Sequence, residues 1–541
     1  KSYVRNRRFY FRTGLTWQYL PYKRGAFSIS QRGAAFSGGG PMLYPPEEEV
    51  EAASAVLNSD AFIGCLHLLM PRGGVQTEQT LKYEQGLIES VPLPDFGKHS
   101  GRLVQLADRA AHANLFSANS NLRSNYFQLP AVLQADGETL SDRVDAWQAS
   151  VADQRETLIE TQEEINEIAF DLYGLEPEDR VGLYMSLYGD DVALKYANGE
   201  TEIRAFQGKI DLDAEDVAEP QDLVQDLVSY LVGVAFGRYD LRYATGAKDL
   251  PELPNPTDPL PVCSPGMLTG EDGLPLEAAP DGYPLEIPED GIIEEEDRNS
   301  SALSRRLRDA LELIFGRDDA ARIEQDALDV LGEDQLETYL RRPTAFFESH
   351  RKQFTEPKRT STSRRAPIYW PLQTPSGQYT LWIYYPRLSA ETLYTCVNDY
   401  IEPKLDNQVR PELERLRAEI AEGDTEARDD YDRLNTLENE LVAMRDEMLR
   451  VAGLPYEPNQ NDGVELSAAP LHNLFQLRSW RERLKDYWEE LQSGEYDWAH
   501  IAYSIWPDRV EDACLTDKSI AIAHGREDLY KGDEESNSSH A

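Results

Sequence analysis

Lysine is scarce in this chain: 13 Lys stand beside 41 Arg, and the two face 97 Asp and Glu in 541 residues, for a formal charge of −43. Two readings of that excess stay open. One is a generic acidic surface. The other is adaptation to a very salty cytoplasm, where carboxylates keep the surface hydrated and the Debye length shrinks to about 3 Å at about 1 M salt. The second reading predicts unfolding in low salt, with a melting temperature that falls by roughly 2–4 °C for each kcal/mol of unscreened repulsion. A melting curve indifferent to salt contradicts it.

Cysteine is scarcer still. Cys65, Cys263, Cys396 and Cys514 lie far apart and form no CxxC pair, which speaks against a disulfide framework and a zinc site and fits a reducing, cytoplasmic setting. The eight histidines are scattered without short metal-ligand spacing. No apolar run approaches the roughly 18 residues of a membrane span, so no membrane partner is expected. The longest run, 61–70, contains His67. Catalytic signatures are missing as well: there is no GxGxxG, GxxxxGK[ST] or HExxH, and no GxSxG in a strand–turn–helix setting. The acids are so numerous that no chosen pair singles itself out as an acid/base couple. From its residues alone, the chain binds or positions something.

What is present is unevenly placed. Residues 1–46 hold eight basic residues and no acid: Lys1, Arg5, Arg7, Arg8, Arg12, Lys23, Arg24 and Arg32. Residues 341–365 hold eight more, including Arg351, Lys352, Arg364 and Arg365, against Glu348 and Glu356. Basic islands in so acidic a chain have two explanations: ion pairing within the fold, or contact with phosphates, for which the guanidinium fork is suited.

The pattern along the chain is mostly helical. Short strands and loops are expected over 1–46, then helix from Glu47 to Met70 with a break and cap at Asn58 and Ser59. Leu140, Val144, Trp147, Val151, Leu158, Ile165 and Ile168 mark a long amphipathic helix, and Leu223 to Phe236 an apolar one. Residues 249–297 contain ten prolines, fourteen acids and no basic residue, which reads as an extended or partly disordered surface segment. Pro375-Ser376-Gly377 separates two strands, Ile368–Gln373 and Tyr379–Tyr385, as a hairpin. Its Tyr369, Trp370, Trp382 and Tyr384 beside the second basic island are the mixture that grips nucleic acid, although such rings are also ordinary core. Two helices broken at Gly423-Asp424 and a tryptophan-rich helical end follow.

Several strings resemble the target-recognition region of large adenine-specific DNA methyltransferases. They include Arg12-Thr13-Gly14-Leu15-Thr16-Trp17, Tyr83-Glu84-Gln85-Gly86-Leu87-Ile88, Ile165-Asn166-Glu167-Ile168 with Asp171-Leu172-Tyr173-Gly174, and Phe236-Gly237-Arg238-Tyr239. Type IIG restriction-modification enzymes and the PglX methyltransferases of BREX phage defence share such features. Gly494–Ala499, Ser504–Val510 and Lys518–Gly525 resemble the C-terminal part of the PglX group. The resemblance implies a fold class of α+β, predominantly helical, with the Rossmann-like catalytic domain absent. Its parts are a piece of the recognition domain (1–96), a helical region (97–248), an acidic linker or surface segment (249–298), and helices with a β-hairpin as a second DNA-contacting region (299–386). A helical hairpin (387–455), a helical C-terminal region (456–531) and a disordered tail (532–541) complete it.

The same resemblance implies double-stranded DNA as partner, a missing N-terminal methyltransferase domain, and other defence-system proteins. S-adenosylmethionine would serve the complete enzyme and not be bound by this chain, because the Asn-Pro-Pro-Tyr and Gly-rich cofactor motifs are absent. The one Pro-Pro, Pro45-Pro46, has the wrong flanks. A chain that starts at Lys1 and enters at once into Tyr3, Phe9, Tyr10 and Phe11 is expected to be cut from something longer. By resemblance, the DNA-contacting residues are Arg5, Arg7, Arg8, Arg12, Lys23, Arg24 and Arg32, followed by Arg351, Lys352, Arg364 and Arg365. The alternatives are the matching half of a type IIG enzyme and a non-catalytic helical scaffold.

Overall fold

The fold was obtained as a computed structural model and describes residues 7–20, 26–36, 40–70, 82–199, 218–296, 301–355, 365–422, 427–454 and 457–531. Arg5, Lys23, Arg24, Arg364, the break at 423–424 and the tail 532–541 lie outside them. The chain divides into two compact units, residues 1–226 with 246–274, and residues 227–245 with 275–541.

In the first unit Leu15 and Trp17, two residues apart on a strand, face the same side and are buried. Their strand β1 (Gly14–Trp17) lies between β2 (Phe27–Ser30) and β3 (Met42–Leu43), antiparallel to both, with Leu15 opposite Ile29 and Leu43. The sheet's apolar face is covered by α1 (Val50–Leu57) and α2 (Asp60–Leu69), which share its core. Asn58 occupies the break between these helices and acts as a strand partner for Phe27. It accepts from Phe27 N at 2.9 Å and donates to Phe27 O at 2.8 Å. Ser59 caps α2, its Oγ accepting from Phe62 N at 3.2 Å.

Helix α3 (Ser100–Ala118) packs on α4 (Leu140–Tyr173), the long amphipathic helix the apolar spacing predicts. Thr139 and Asp142 form a capping box at its start, and Gly174 in the left-handed region ends it. Two shorter helices, α5 (Pro177–Tyr188) and Asp190–Ala197, close the bundle. No single helix among the described residues is long and apolar enough to cross a membrane.

The acidic stretch has the turn-rich backbone its prolines dictate, yet it is anchored. Gln128 Nε2 donates to Pro251 O at 2.6 Å, Gly266 N donates to Phe127 O at 2.8 Å, and Leu268 is buried. Near its end it supplies β4 (Ile292–Glu295) to the sheet of the second unit.

That sheet runs β4, β6 (Thr380–Tyr384), β5 (Tyr369–Gln373), all antiparallel, with Tyr369 opposite Tyr384 and Trp370 opposite Ile383. Gly377, at φ +71°, sits in the turn as the Pro-Ser-Gly sequence predicts. Pro371 is tolerated because β5 is an edge strand, where a missing N–H removes no ladder bond. Every residue of β5 and β6 is buried. Phe236 stacks on Tyr369 and Tyr384 at 5.5 and 5.6 Å, and Phe346 meets Trp382 at 5.4 Å. These hairpin aromatics are therefore core, the more ordinary of the two readings, and they do not form a nucleic-acid-gripping surface: both faces of the sheet are covered. Gly233 belongs to the same packing, since a Cβ there would lie 2.4 Å from the Tyr239 ring.

Residues 392–421 form one continuous helix with two wide-turn stretches, Cys396–Ile401 and Leu405–Val409. Pro403 and Pro411 explain both. A proline ring clashes with the carbonyl four residues before it, and Asp399 and Asn407 each lie in a stretch where the turn has widened. The last part, α6 (Arg410–Ala421), folds back on α7 (Ala427–Ala452), held by Arg410 Nε to Glu438 at 3.1 Å and Arg445 Nη1 to Glu402 at 3.2 Å.

Candidate nucleic-acid interface

The first basic island stands on the edge of the β1–β3 sheet. Arg7–Phe9 make one 3-10 turn leading into β1. Phe9 stacks on Tyr44 at 5.0 Å between ring centroids, Tyr10 meets Phe36 edge-on at 4.8 Å, and Phe36 meets Tyr44 at 6.2 Å. Four rings from 36 residues of chain thus make a small aromatic platform, and arginines lie over it. The Arg8 guanidinium sits 4.7 Å from the Phe9 centroid, and that of Arg12 lies 5.9 and 5.8 Å from Phe9 and Tyr44. Burial pushes the Tyr44 hydroxyl pKa up, with Arg12 pulling against it. Arg8 and Arg12 are exposed. Arg32 is exposed too and reaches Glu47 at 2.7 Å, with 62% and 70% of the two side chains open to water. A pair so exposed contributes little and leaves Arg32 available to a stronger anion.

The second island is arranged differently. Arg351 is buried in Phe346–Gln353, and its fork is filled by Glu348 of the same helix, both bonds at 2.7 Å. Arg365 is half-buried, with burial and the neighbouring Arg351 and Arg483 lowering its pKa. Lys352 is exposed, 3.8 Å from Glu348. Next to them the buried imidazole of His350 is pulled down to about 3 by desolvation, so it is neutral and accepts from Ile368 N at 3.0 Å. It supplies edge strand β5 with an acceptor. Arg351 and Arg365 are thus built into the fold, and Lys352 is not.

The residues around Pro45-Pro46 do not fit an adenine pocket. Pro46 caps the 3-10 turn Glu47–Glu49, so three carboxylates follow where a tyrosine would be needed. Among the described residues no group of three His, Cys, Asp or Glu is placed to hold a metal.

No family model matches the chain. One curated relative does, at 23% identity over 495 residues: the adenine-specific methyltransferase PglX of Lacticaseibacillus casei (strain Zhang). The chain is similar to PglX. The match covers 87% of this chain and 35% of PglX, so the chain spans about a third of that enzyme's length. The similarity supports an origin shared with the PglX methyltransferase, as the residue strings lead one to expect. What the sequence did not reveal is the platform itself: the spacing of Phe9, Tyr10, Phe36 and Tyr44 has no period that announces a shared surface.

Proposed function

We propose that the chain is the DNA target-recognition and partner-docking portion of a site-specific, S-adenosylmethionine-dependent adenine-N6 methyltransferase of phage defence, of the PglX kind. The observation that carries this reading is the similarity to PglX along 87% of the chain, joined to a basic segment that holds no acid. In this reading Arg8, Arg12 and Arg32, with Arg5, Arg7, Lys23 and Arg24, grip DNA phosphates. Lys352, Arg364 and Arg365 make a second, separate contact with DNA. Arg351 does not take part, because Glu348 occupies its fork. Partner docking belongs to the C-terminal region, where Trp498 and Trp506 remain exposed. In this reading methyl transfer falls to a segment or partner outside this sequence, since the sequence holds neither the Asn-Pro-Pro-Tyr nor the Gly-rich cofactor motif.

The test is DNA binding by the full chain, followed by fluorescence anisotropy across a salt series. Changing Arg8 and Arg12 together to Ala is expected to weaken binding by roughly 10- to 100-fold and to lower the salt slope by about 2. Unchanged affinity in the folded variant turns the reading toward a scaffold. Methyl transfer to DNA by this chain alone would overturn the division of labour.

A further inference from the structure

Phe11 is the only non-glycine residue with positive φ among the described residues, at +64°. The residue is also 61% exposed. Either property is unfavourable for a phenylalanine: the left-handed region crowds its Cβ, and water faces its ring. The backbone enforces both. Phe11 N donates to Ala34 O at 2.9 Å and Phe11 O accepts from Gly33 N at 3.2 Å, so the residue is clamped on both sides by the Gln31–Ala34 turn. Gly33, at φ +95° with open space around it, makes that turn sharp enough to reach both groups. The clamped ring meets that of Tyr10 edge-on, at 6.1 Å between centroids. Strain held in place by its surroundings, at a protruding aromatic, is the form that functional residues take.

What surrounds it names the partner. Arg8 and Arg12 flank it in sequence, Arg32 lies in the clamping turn, and residues 1–46 contain no acid, in a chain with 97. An exposed apolar ring in a segment whose charges are all cationic suits a polyanion with flat apolar faces between its charges. Duplex DNA has that structure, with stacked bases between two phosphate rows. We propose that Phe11 is a wedge that enters the base stack of bound DNA, unstacking one step while Arg8, Arg12 and Arg32 hold the phosphates beside it. This rests on the DNA reading above and adds to it a mode of engagement.

The experiment starts from duplexes enriched by the full chain from a random-sequence pool, with 2-aminopurine then placed at successive positions. Wild-type protein is expected to raise the fluorescence at one step at least twofold, the response to unstacking. Phe11→Ala is expected to lose that rise while keeping affinity within about tenfold, because the phosphate contacts remain. Phe11→Trp should keep the rise. Phe11→Gly should lose it and melt roughly 2–4 °C higher, since glycine adopts positive φ without strain. No rise with wild type, or a full rise with Phe11→Ala, overturns the wedge and leaves DNA recognition standing. A lower melting temperature for Phe11→Gly makes the ring structural and also overturns it. Binding to anionic phospholipid vesicles but to no duplex defeats the wedge and the DNA reading together, and the Arg8 and Arg12 variants identify that case because they then leave DNA signals unchanged.

Discussion

Replacing Asp60 with Ala is expected to destabilise the first unit by about 3–5 kcal/mol, the largest single effect foreseen outside the aromatic core. Asp60 is 1% exposed and starts α2. Its Oδ2 accepts from Asn166 Nδ2 at 3.0 Å and from Tyr188 Oη at 2.9 Å, while its own N–H donates to Asn166 Oδ1 at 2.9 Å. Gln162 Nε2 adds a bond to the same Asn166 oxygen at 3.0 Å. Three helices, α2, α4 and α5, therefore meet at one carboxyl group. Alanine leaves the buried Asn166 amide and the part-buried Tyr188 hydroxyl without this acceptor, a loss of about 1–3 kcal/mol for the first and less for the second, on top of the packing lost with the carboxyl group. Asn in place of Asp keeps an oxygen in place and should lose only about 1 kcal/mol. Hydrogen exchange of the α1–α2 peptides in the two variants checks this, and equal protection in wild type and Asp60→Ala would refute it. The Ile165-Asn166-Glu167-Ile168 string thus carries architecture: its asparagine ties α4 to the start of α2.

Where the sequence was legible, the signals were local. Asn58-Ser59 could be read as a break because a cap needs only its own first turn. The hairpin was legible from Pro-Ser-Gly between two apolar runs. Its burial on both faces was not, because Phe236 and Phe475 come from more than a hundred residues before Tyr369 and after Trp370, the rings they meet, and Phe346 comes from a separate helix. Separation along the chain also hid β4: Ile292 and Ile293 are two apolar residues among acids, and only Ile383 and Trp382 opposite them make a strand of it. At the interface, the acid-free run of arginines was plain to counting. Arg351 looked equivalent to Arg8 by charge, and what separates them is Glu348 one turn earlier on a buried helix face, a difference of placement and not of composition. Phe11 gave no signal at all, since a residue's φ is set by the Gly33 turn that clamps it.

Burial of Glu295 makes the second unit's stability depend on pH in the direction opposite to that of an ordinary salt-bridged acid. Glu295 ends β4, is fully buried, and reaches the first turn of the helix Leu303–Phe315, accepting from Ser304 N at 2.7 Å and from Ser304 Oγ at 3.1 Å. Those bonds and Arg341 favour the charged form, but desolvation dominates, with Glu337 adding to it, and the pKa is pushed up to about 7 from 4.5. Below the unfolded value both states hold the proton. Between 4.5 and 7 the unfolded chain releases it and the folded chain keeps it, so stability falls as pH rises, and the loss is complete above 7. A gap of that size corresponds to about 3 kcal/mol. Glu295→Gln has no such proton to lose. Urea midpoints taken from pH 5 to 8 at one salt concentration should therefore show wild type losing stability relative to the variant by about 2.5 kcal/mol over that range, most of it below pH 7. The other acids titrate equally in both proteins and cancel in the difference. Parallel curves would mean that Glu295 is charged in the folded state and that the Ser304 cap, not burial, sets its proton affinity.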